Sequence, residues 1–185
     1  PTLEELPDRP DDGEFVSGEN GETLLDSVMR VESGGDVNAV SRVGAIGLYQ
    51  LMPRTIADPG FYTDPITKEE ALDPVISRRF AKQYLNGIAR TYPTWTQEEV
   101  LRAYNAGPGR VSRYKDSIDK IISEEGVDEA GADAILVERF EAKVSKIMAD
   151  LSITEKEAVK KVPSKEHPLE QETLQYAQKV LSFIA

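Results

Sequence analysis

Apolar side chains recur at intervals of three and four residues through most of the chain beyond residue 22. Leu24, Leu25, Val28 and Met29 form the first stripe, which ends at a Ser-Gly-Gly sequence. Such spacing places side chains on one face of an α-helix, and glycine stops a helix. Later stripes comprise Ile76, Phe80, Tyr84 and Ile88, then Val100, Leu101 and Tyr104, then Leu136, Phe140, Val144, Ile147 and Leu151, and finally Leu174, Ala177, Leu181 and Ile184. No alternating strand pattern of useful length is present, so the sequence predicts an all-α fold.

Local capping sequences mark where several of these helices begin. Asp73-Pro74 combines a capping side chain with a proline at the first helical position. The sequences at 96–99 and 154–157 have the spacing of a capping box, in which a threonine and a glutamate bond each other's main chain. We therefore predict that helices start just after residues 73, 96 and 154.

Negative charge is concentrated at the two ends of the chain. The formal net charge is −11 at pH 7; residues 1–18 carry six acidic residues and one basic residue, and residues 116–185 carry fifteen and nine. Residues 1–21 are rich in proline, glycine and acids and are predicted to form an extended leader. Residues 22–185 are predicted to form a single domain, with an acidic helical insertion at about 117–165.

Composition disfavours several classes of function. Nucleic-acid binding requires clustered lysine and arginine, whereas the central part of this chain is neutral. The chain has no cysteine and one histidine, so we expect neither a metal site nor a cofactor. We expect no membrane span, because no run of about 18 apolar residues is present. The chain starts with proline and shows no signal peptide, which suggests a piece of a larger protein.

One acidic residue lies on an apolar helix face. Glu32 follows Leu25, Val28 and Met29 at helical spacing, at the very end of the first predicted helix. An apolar surface and the negative end of the helix dipole both disfavour a charged carboxylate, so we expect a raised pKa. A glutamate that keeps its proton near neutral pH can donate it to a leaving oxygen. The alternative interpretation is a surface glutamate that extends into solvent.

Two further segments carry candidate ligand-binding groups. Gln50 could hydrogen-bond acetamido or hydroxyl groups, while Tyr49 and Met52 could pack against an apolar ligand face. The same segment could equally be an ordinary loop that leads into a helix. Tyr104 and Asn105 place a phenol and an amide at a helix end, although a tyrosine there more often belongs to the core.

Together these segments resemble soluble-type lytic transglycosylases, in four motifs that occur in the order of that family. The motifs are Glu32-Ser33 with residues 38–55, Asp73-Pro74 with Tyr84-Leu85, the Ala-Tyr-Asn-Ala-Gly sequence at 103–107, and Glu172-Thr173 with Tyr176. The resemblance covers about residues 22–115 and 166–181. It implies a lysozyme-like α fold and an enzyme that acts on bacterial peptidoglycan.

The resemblance also implies roles for individual residues. Glu32 would be the catalytic acid and base, and Ser33 and Ser41 would lie near the reacting centre, with Ser41 able to orient Glu32 or the substrate's N-acetyl group. Tyr104 would donate a hydrogen bond to the glutamate or to the substrate. The residues implied to line the glycan groove are Tyr49, Gln50, Met52, Tyr104, Asn105 and Tyr176.

Three features depart from the family pattern. Position 49 is tyrosine where methionine or phenylalanine is commoner, which could alter the sugar-facing wall. The closing motif at 172–177 lacks the usual arginine and valine. The acidic insertion at 117–165 is longer than usual, and we interpret it as packing scaffold rather than as a lid or a docking surface.

The implied reaction uses one carboxylate. Glu32 would protonate the bond between N-acetylmuramic acid and N-acetylglucosamine, and would then deprotonate the C6 hydroxyl that closes a 1,6-anhydro ring. No acidic residue lies between Asp36 and Asp58, so the second carboxylate of an ordinary glycosidase is not evident in this stretch. Two alternatives remain: a lysozyme-type hydrolase in which Asp36 or Asp58 activates water, and a non-catalytic module that binds cell wall.

The expected partner is therefore the glycan strand of peptidoglycan, met in the periplasm or the cell wall. An exported bacterial enzyme and a bacteriophage virion component both fit, and the acidic leader and the insertion favour the virion. A serine hydrolase that uses Ser33 and His167 is disfavoured, because no nucleophile elbow surrounds Ser33 and His167 is expected to be exposed.

Overall fold

A computed structural model describes residues 18–184, with the side chains from residue 23 onward. Its helices are α1 (Gly18–Ser33), α2 (Pro53–Ala57), α3 (Lys68–Ala71), α4 (Pro74–Thr91), α5 (Gln97–Ala106), α6 (Pro108–Glu125), α7 (Glu129–Leu151), α8 (Glu155–Val159) and α9 (Gln171–Leu181), with a 3₁₀ turn at Ser164–Glu166. Within 18–184, β pairing is limited to isolated bridges that join Ile46 to Val40 and to Leu51. The all-α prediction is therefore confirmed. Most of the predicted leader lies outside the described residues, and α1 begins inside its last part.

The predicted helix starts are confirmed by their hydrogen bonds. The Asp73 carboxylate accepts bonds from the amides of Val75 and Ile76 at 2.8 and 2.9 Å. Thr96 donates its amide to the Glu99 carboxylate at 2.6 Å, and the Glu99 amide donates to the Thr96 hydroxyl at 3.3 Å. The capping box at 154–157 is present as well. These side chains satisfy amides that a helix start would otherwise leave without partners.

The chain forms two compact units. The first comprises residues 18–104 and 175–184 of the described chain, and the second comprises residues 105–174. The second unit includes more residues than the insertion predicted at 117–165. Its first helix, α6, runs without a break from Pro108 to Glu125. A boundary at residue 117 would cut this helix in its middle.

The first unit has a core made by apolar faces of α1, α4, α5 and α9. Its largest fully buried side chains include Leu24, Leu25 and Val28 of α1, Phe80, Leu85 and Ile88 of α4, and Val100 and Leu101 of α5. Helical spacing correctly identified the buried faces of α1, α4 and α5. In α9 the predicted stripe is wrong in part, because only Ala177 of it is buried, whereas Leu174, Leu181 and Ile184 are half-buried. Burial of each such side chain stabilises the fold by about 1.5–3 kcal/mol.

The second unit has an apolar cluster of its own. Val144, Ala158 and Val162 are buried, and Phe140 is one of the side chains that pack against them. The His167 ring lies 4.9 Å from the Phe140 ring, and its Nε2 is 3.0 Å from the Val162 carbonyl oxygen. The expectation that His167 is exposed is therefore wrong, because the ring is held between an aromatic face and a main-chain acceptor and is only half-exposed.

The substitution Phe140→Ala tests whether this cluster is packing scaffold. Phe140 packs on Val144, Ala158 and Val162, so we expect a loss of about 2 kcal/mol in the free energy of unfolding. We expect no comparable loss of turnover at low temperature. Urea unfolding and activity of the same preparation measure both quantities. Parental stability with slower turnover would instead indicate a role in catalysis for this segment.

Candidate active site

Glu32 lies in the last turn of α1 and is half-buried. It shares a helix face with Leu25 and Val28, which are fully buried. The Tyr176 hydroxyl, on α9, donates a hydrogen bond of 2.7 Å to Glu32 Oε1. Tyr176 itself is only 5% exposed, so its ring is fixed by packing. One oxygen of the Glu32 carboxylate is thus held by a rigid neutral donor.

Two tyrosines, the buried Tyr176 and the half-buried Tyr104, respond electrostatically to Glu32. Burial raises the pKa of the Tyr104 and Tyr176 phenols well above the ordinary value, and the negative charge of Glu32 raises both further. A phenolate in either position would be poorly solvated and would be repelled by the carboxylate. Both phenols therefore remain protonated across the neutral pH range and act as neutral hydrogen-bonding groups.

Tyr104 donates its proton to the main chain rather than to Glu32. Its hydroxyl lies 2.9 Å from the main-chain carbonyl oxygen of Tyr49. The family resemblance implied a bond to the glutamate or the substrate, so the structure corrects this point. A phenol has one proton to donate, and here it satisfies a carbonyl in the loop that follows α1.

The two candidate serines shape the backbone near Glu32. Ser33 donates its hydroxyl to the Leu48 carbonyl at 2.8 Å, which ties the end of α1 to the following loop. The Ser41 hydroxyl accepts a bond of 2.9 Å from the Ala45 amide and so closes a tight turn. The implied role of Ser41 in orienting Glu32 or the N-acetyl group of the substrate stays a prediction.

Gln50 braces the loop through its side-chain amide. Its Nε2 donates to the carbonyl oxygens of Gly47 at 2.9 Å and Ala39 at 3.3 Å. Its backbone has a φ of +46°, a left-handed conformation that is uncommon for a residue with a side chain. The surroundings must hold such a conformation, which is frequent near functional sites.

Tyr49 and Met52 differ sharply in their accessibility. Tyr49 is 1% exposed, and its hydroxyl accepts a bond of 2.9 Å from Arg78 Nη1. A ring so buried cannot form a sugar-facing wall, so this interpretation of Tyr49 is wrong. Met52 is 38% exposed and remains accessible to a ligand.

Asn105 belongs to the second compact unit and is exposed. Its Oδ1 accepts a hydrogen bond of 2.9 Å from the Thr173 hydroxyl, and Thr173 is buried. Within the second unit, this bond joins the third sequence motif to the closing motif.

Arg78 is a polar residue near this site that the sequence did not suggest. Its Nη1 donates to Asp26 Oδ1 at 2.7 Å and to the Tyr49 hydroxyl at 2.9 Å. Asp26 and Tyr49 lie far from residue 78 along the chain, so no local spacing could have indicated the contact.

Two further properties concern the residues that the structure describes. Between residues 18 and 184, no cluster of three or more His, Asp or Glu side chains is arranged to hold a metal ion. None of the described helices combines the length and the apolar character that crossing a bilayer requires.

Comparison with known proteins adds sequence relatives. A curated protein of Glaesserella parasuis, named membrane-bound lytic murein transglycosylase C, is 32% identical to this chain over 126 residues. The match covers 61% of this chain and 34% of that protein. The protein of that name in Haemophilus influenzae is 33% identical over 108 residues, which is 52% of this chain and 30% of that protein. This chain thus spans about a third of the length of these relatives.

A solved structure has a similar fold. It is an inactive mutant of the lytic transglycosylase Slt from Pseudomonas aeruginosa, with a TM-score of 0.52 and 23% sequence identity, over 88% of this chain and 20% of that one. This likeness confirms the all-α, lysozyme-like fold. The family described as the transglycosylase SLT domain matches residues 17–123, more than half of the chain. The chain therefore belongs to the transglycosylase SLT domain family.

Proposed function

We propose that the chain cleaves the bond between N-acetylmuramic acid and N-acetylglucosamine in peptidoglycan without water, leaving 1,6-anhydro-muramyl ends. The observation that carries the proposal is the half-buried Glu32, whose Oε1 is held by the buried Tyr176 at 2.7 Å. Membership of the family supports it, as do relatives that are named murein transglycosylases. Because the match covers only about a third of the length of those relatives, the proposal concerns the reaction at this site.

Glu32 performs both proton transfers in the proposed reaction. As an acid, it protonates the glycosidic oxygen, and the bond from that oxygen to the muramyl anomeric carbon breaks. The muramyl N-acetyl oxygen supports the positive charge that develops at this carbon. As a carboxylate, Glu32 then takes the proton from the C6 hydroxyl of the sugar. At the same time, the oxygen of that hydroxyl bonds to the anomeric carbon and closes the anhydro ring. Water is not consumed, and Glu32 regains its proton for the next cycle.

The two tyrosines restrict what Glu32 can do. Tyr176 fixes one carboxyl oxygen through a hydrogen bond, so the carboxyl group cannot rotate freely between substrate positions. Tyr104 places a protonated phenol close to Glu32 without adding a charge. We propose that Met52 contributes exposed apolar surface to the glycan groove, and that Gln50 maintains the shape of its loop.

Product analysis in labelled water tests the proposal. We expect anhydro-muramyl products from purified sacculi, lighter by one water than hydrolytic products, with no ¹⁸O incorporated. Muropeptide mass spectrometry distinguishes the two. Chiefly reducing-end, ¹⁸O-labelled products would establish a lysozyme-type hydrolase, and glycan binding without any product would establish a non-catalytic module.

The variants Asp36→Asn and Asp58→Asn sharpen this test. Both residues are exposed, and Asp36 Oδ1 accepts a bond of 2.9 Å from the Asn38 amide, a contact that asparagine can preserve. We expect each variant to keep most of the activity, since neither carboxylate activates water. Loss of activity in a folded Asp36→Asn or Asp58→Asn variant would point to the hydrolytic route.

We further propose that the reaction takes place in the periplasm or the cell wall, where peptidoglycan is found. An exported bacterial protein and a bacteriophage virion protein would both meet the substrate there. The length of the full gene product distinguishes them, because a chain of many hundreds of residues favours the virion.

A further inference from the structure

Three hydrogen bonds hold the Leu48–Tyr49 segment to helices of the first unit. Ser33 of α1 donates to the Leu48 carbonyl at 2.8 Å. Arg78 of α4 donates to the Tyr49 hydroxyl at 2.9 Å, and Tyr104 of α5 donates to the Tyr49 carbonyl at 2.9 Å. The segment therefore connects α1, which bears Glu32, to Tyr104, whose phenol is influenced by the charge of Glu32.

Arg78 is itself anchored by α1. Its Nη1 lies 2.7 Å from Asp26 Oδ1 and donates to this carboxylate and to the Tyr49 hydroxyl. Asp26 and Ser33 are seven residues apart and so project from nearly the same face of α1, about two turns apart. Through these two residues, α1 holds both the main chain and the side chain of the 48–49 segment.

The peptide group between Tyr49 and Gln50 is the strained element of this arrangement, and the Gln50 amide donates a hydrogen bond of 3.2 Å to the Gly47 carbonyl. Gln50 has a φ of +46°, whereas glutamine prefers negative φ values. A turn of the planar peptide group by roughly 180° would change ψ of Tyr49 and φ of Gln50 together and would relieve that strain. The same turn would direct the Tyr49 carbonyl away from the Tyr104 hydroxyl, and Tyr104 would lose its acceptor.

We propose that Asp26, Arg78 and Tyr49 form a positioning clamp that keeps the Tyr49–Gln50 peptide group in its strained orientation, with its carbonyl on the Tyr104 hydroxyl. The clamp immobilises the side chain of residue 49. On the other side of the peptide group, Gln50 Nε2 donates a hydrogen bond to the Gly47 carbonyl oxygen. None of the three clamp residues is a catalytic residue. They act through Tyr104, which donates its hydroxyl proton to the Tyr49 carbonyl and whose phenol is influenced by the charge of Glu32.

The consequence for the reaction rests on the proposed function. With its proton on the Tyr49 carbonyl, Tyr104 has no proton left to donate to Glu32. If the peptide turned, the Tyr104 hydroxyl would be free to donate a hydrogen bond to the Glu32 carboxylate. That bond would favour the ionised form of Glu32 and so oppose its binding of the proton that it must donate. The clamp thus supports the acid step, and its loss should reduce kcat more than it changes KM.

The variants Tyr49→Phe and Arg78→Gln test the clamp. Tyr49→Phe removes one of the two acceptors of Arg78 Nη1 but keeps the ring, and Arg78→Gln removes the charged donor. For each we expect a fall in kcat of about tenfold with little change in KM, since a small misplacement near reacting groups is costly. Because both variants break the same clamp, the double variant should be no slower than either single variant. Arg78→Lys, which keeps a cationic donor, should recover part of the rate.

NMR measures the peptide orientation independently of activity. The ¹³C′ shift of Tyr49 and the ¹⁵N shift of Gln50 belong to the same peptide group, and both should move in Arg78→Gln, which leaves residues 49 and 50 unchanged. This readout remains informative if the parent protein cleaves no glycan, so failure of the clamp and failure of the proposed function are distinguishable.

Two control variants match the chemistry of the test. Tyr92→Phe removes a hydroxyl from a ring that stacks on Trp95, and Arg139→Gln removes the ion pair to Glu125 in the second unit. Both should leave kcat and the two shifts unchanged. Unchanged kcat and unchanged shifts in Arg78→Gln would overturn the proposal, as would strictly additive losses in the double variant.

Discussion

Replacing Glu32 with glutamine is expected to reduce the rate of glycan cleavage by roughly 10²–10⁴-fold or more, because the amide can neither donate nor accept the transferred proton. The fold should be unaffected. Glutamine has nearly the same shape, and its carbonyl oxygen can still accept the bond that Tyr176 donates at 2.7 Å. Release of muropeptides from purified sacculi measures the rate, and circular dichroism and thermal unfolding report on the fold.

An exposed glutamate provides the matched control for this variant. Glu138 on α7 is exposed, and Glu138→Gln makes the same chemical change in the second compact unit. It should retain the parental rate. A folded Glu32→Gln protein with parental activity would remove Glu32 from the mechanism and would direct attention to the acidic residues of 58–73.

Replacing Gly87 with alanine is expected to lower the free energy of unfolding by about 3 kcal/mol, because the new methyl group meets the backbone. Gly87 lies inside α4, where alanine would ordinarily stabilise a helix by about 1 kcal/mol. Here an added Cβ would lie 1.7 Å from the Phe61 carbonyl oxygen and 2.7 Å from its carbon. Phe61 has a φ of +50°, so its backbone is already strained and cannot yield cheaply.

The same substitution in α6 should have the opposite or no effect. A Cβ added at Gly109 would meet only the Arg113 guanidinium, at an ordinary contact distance of 3.5 Å, so Gly109→Ala should be neutral or slightly stabilising. Urea unfolding of the two variants side by side separates steric conflict from helix propensity. Equal stability of Gly87→Ala and the parent would mean that the 60–63 segment moves away from α4 at little cost.

Strain at Gly87 should also affect the site through aromatic contacts. The Phe61 ring lies 5.7 Å from the Tyr84 ring, and the Tyr84 ring lies 6.0 Å from the Tyr104 ring. Displacement of Phe61 would therefore reach the phenol near Glu32 through two ring contacts. We expect the Gly87→Ala protein to lose activity even at temperatures where it stays folded.

The starts of α4, α5 and α8 were determined by the sequence itself. The Thr96–Glu99 capping box is complete within one helical turn, so no distant residue is needed to form it. The same holds for the stripe of Phe80, Tyr84 and Ile88, because helical spacing alone places these side chains on one face. The position of Glu32 at the end of an apolar helix face followed from the same rule.

The partners of the polar side chains were decided only by the tertiary structure. Tyr176 and Glu32 are 144 residues apart, and the resemblance placed Tyr176 in the groove without indicating its bond to the carboxylate. Tyr49 was interpreted as sugar-facing, yet its ring is buried and its hydroxyl is bound by Arg78, 29 residues away. Periodicity determines which face of a helix is buried, but not which other surface it meets. A hydroxyl or a guanidinium bonds to whichever group packing brings within about 3 Å, and that distance exists only in the folded chain.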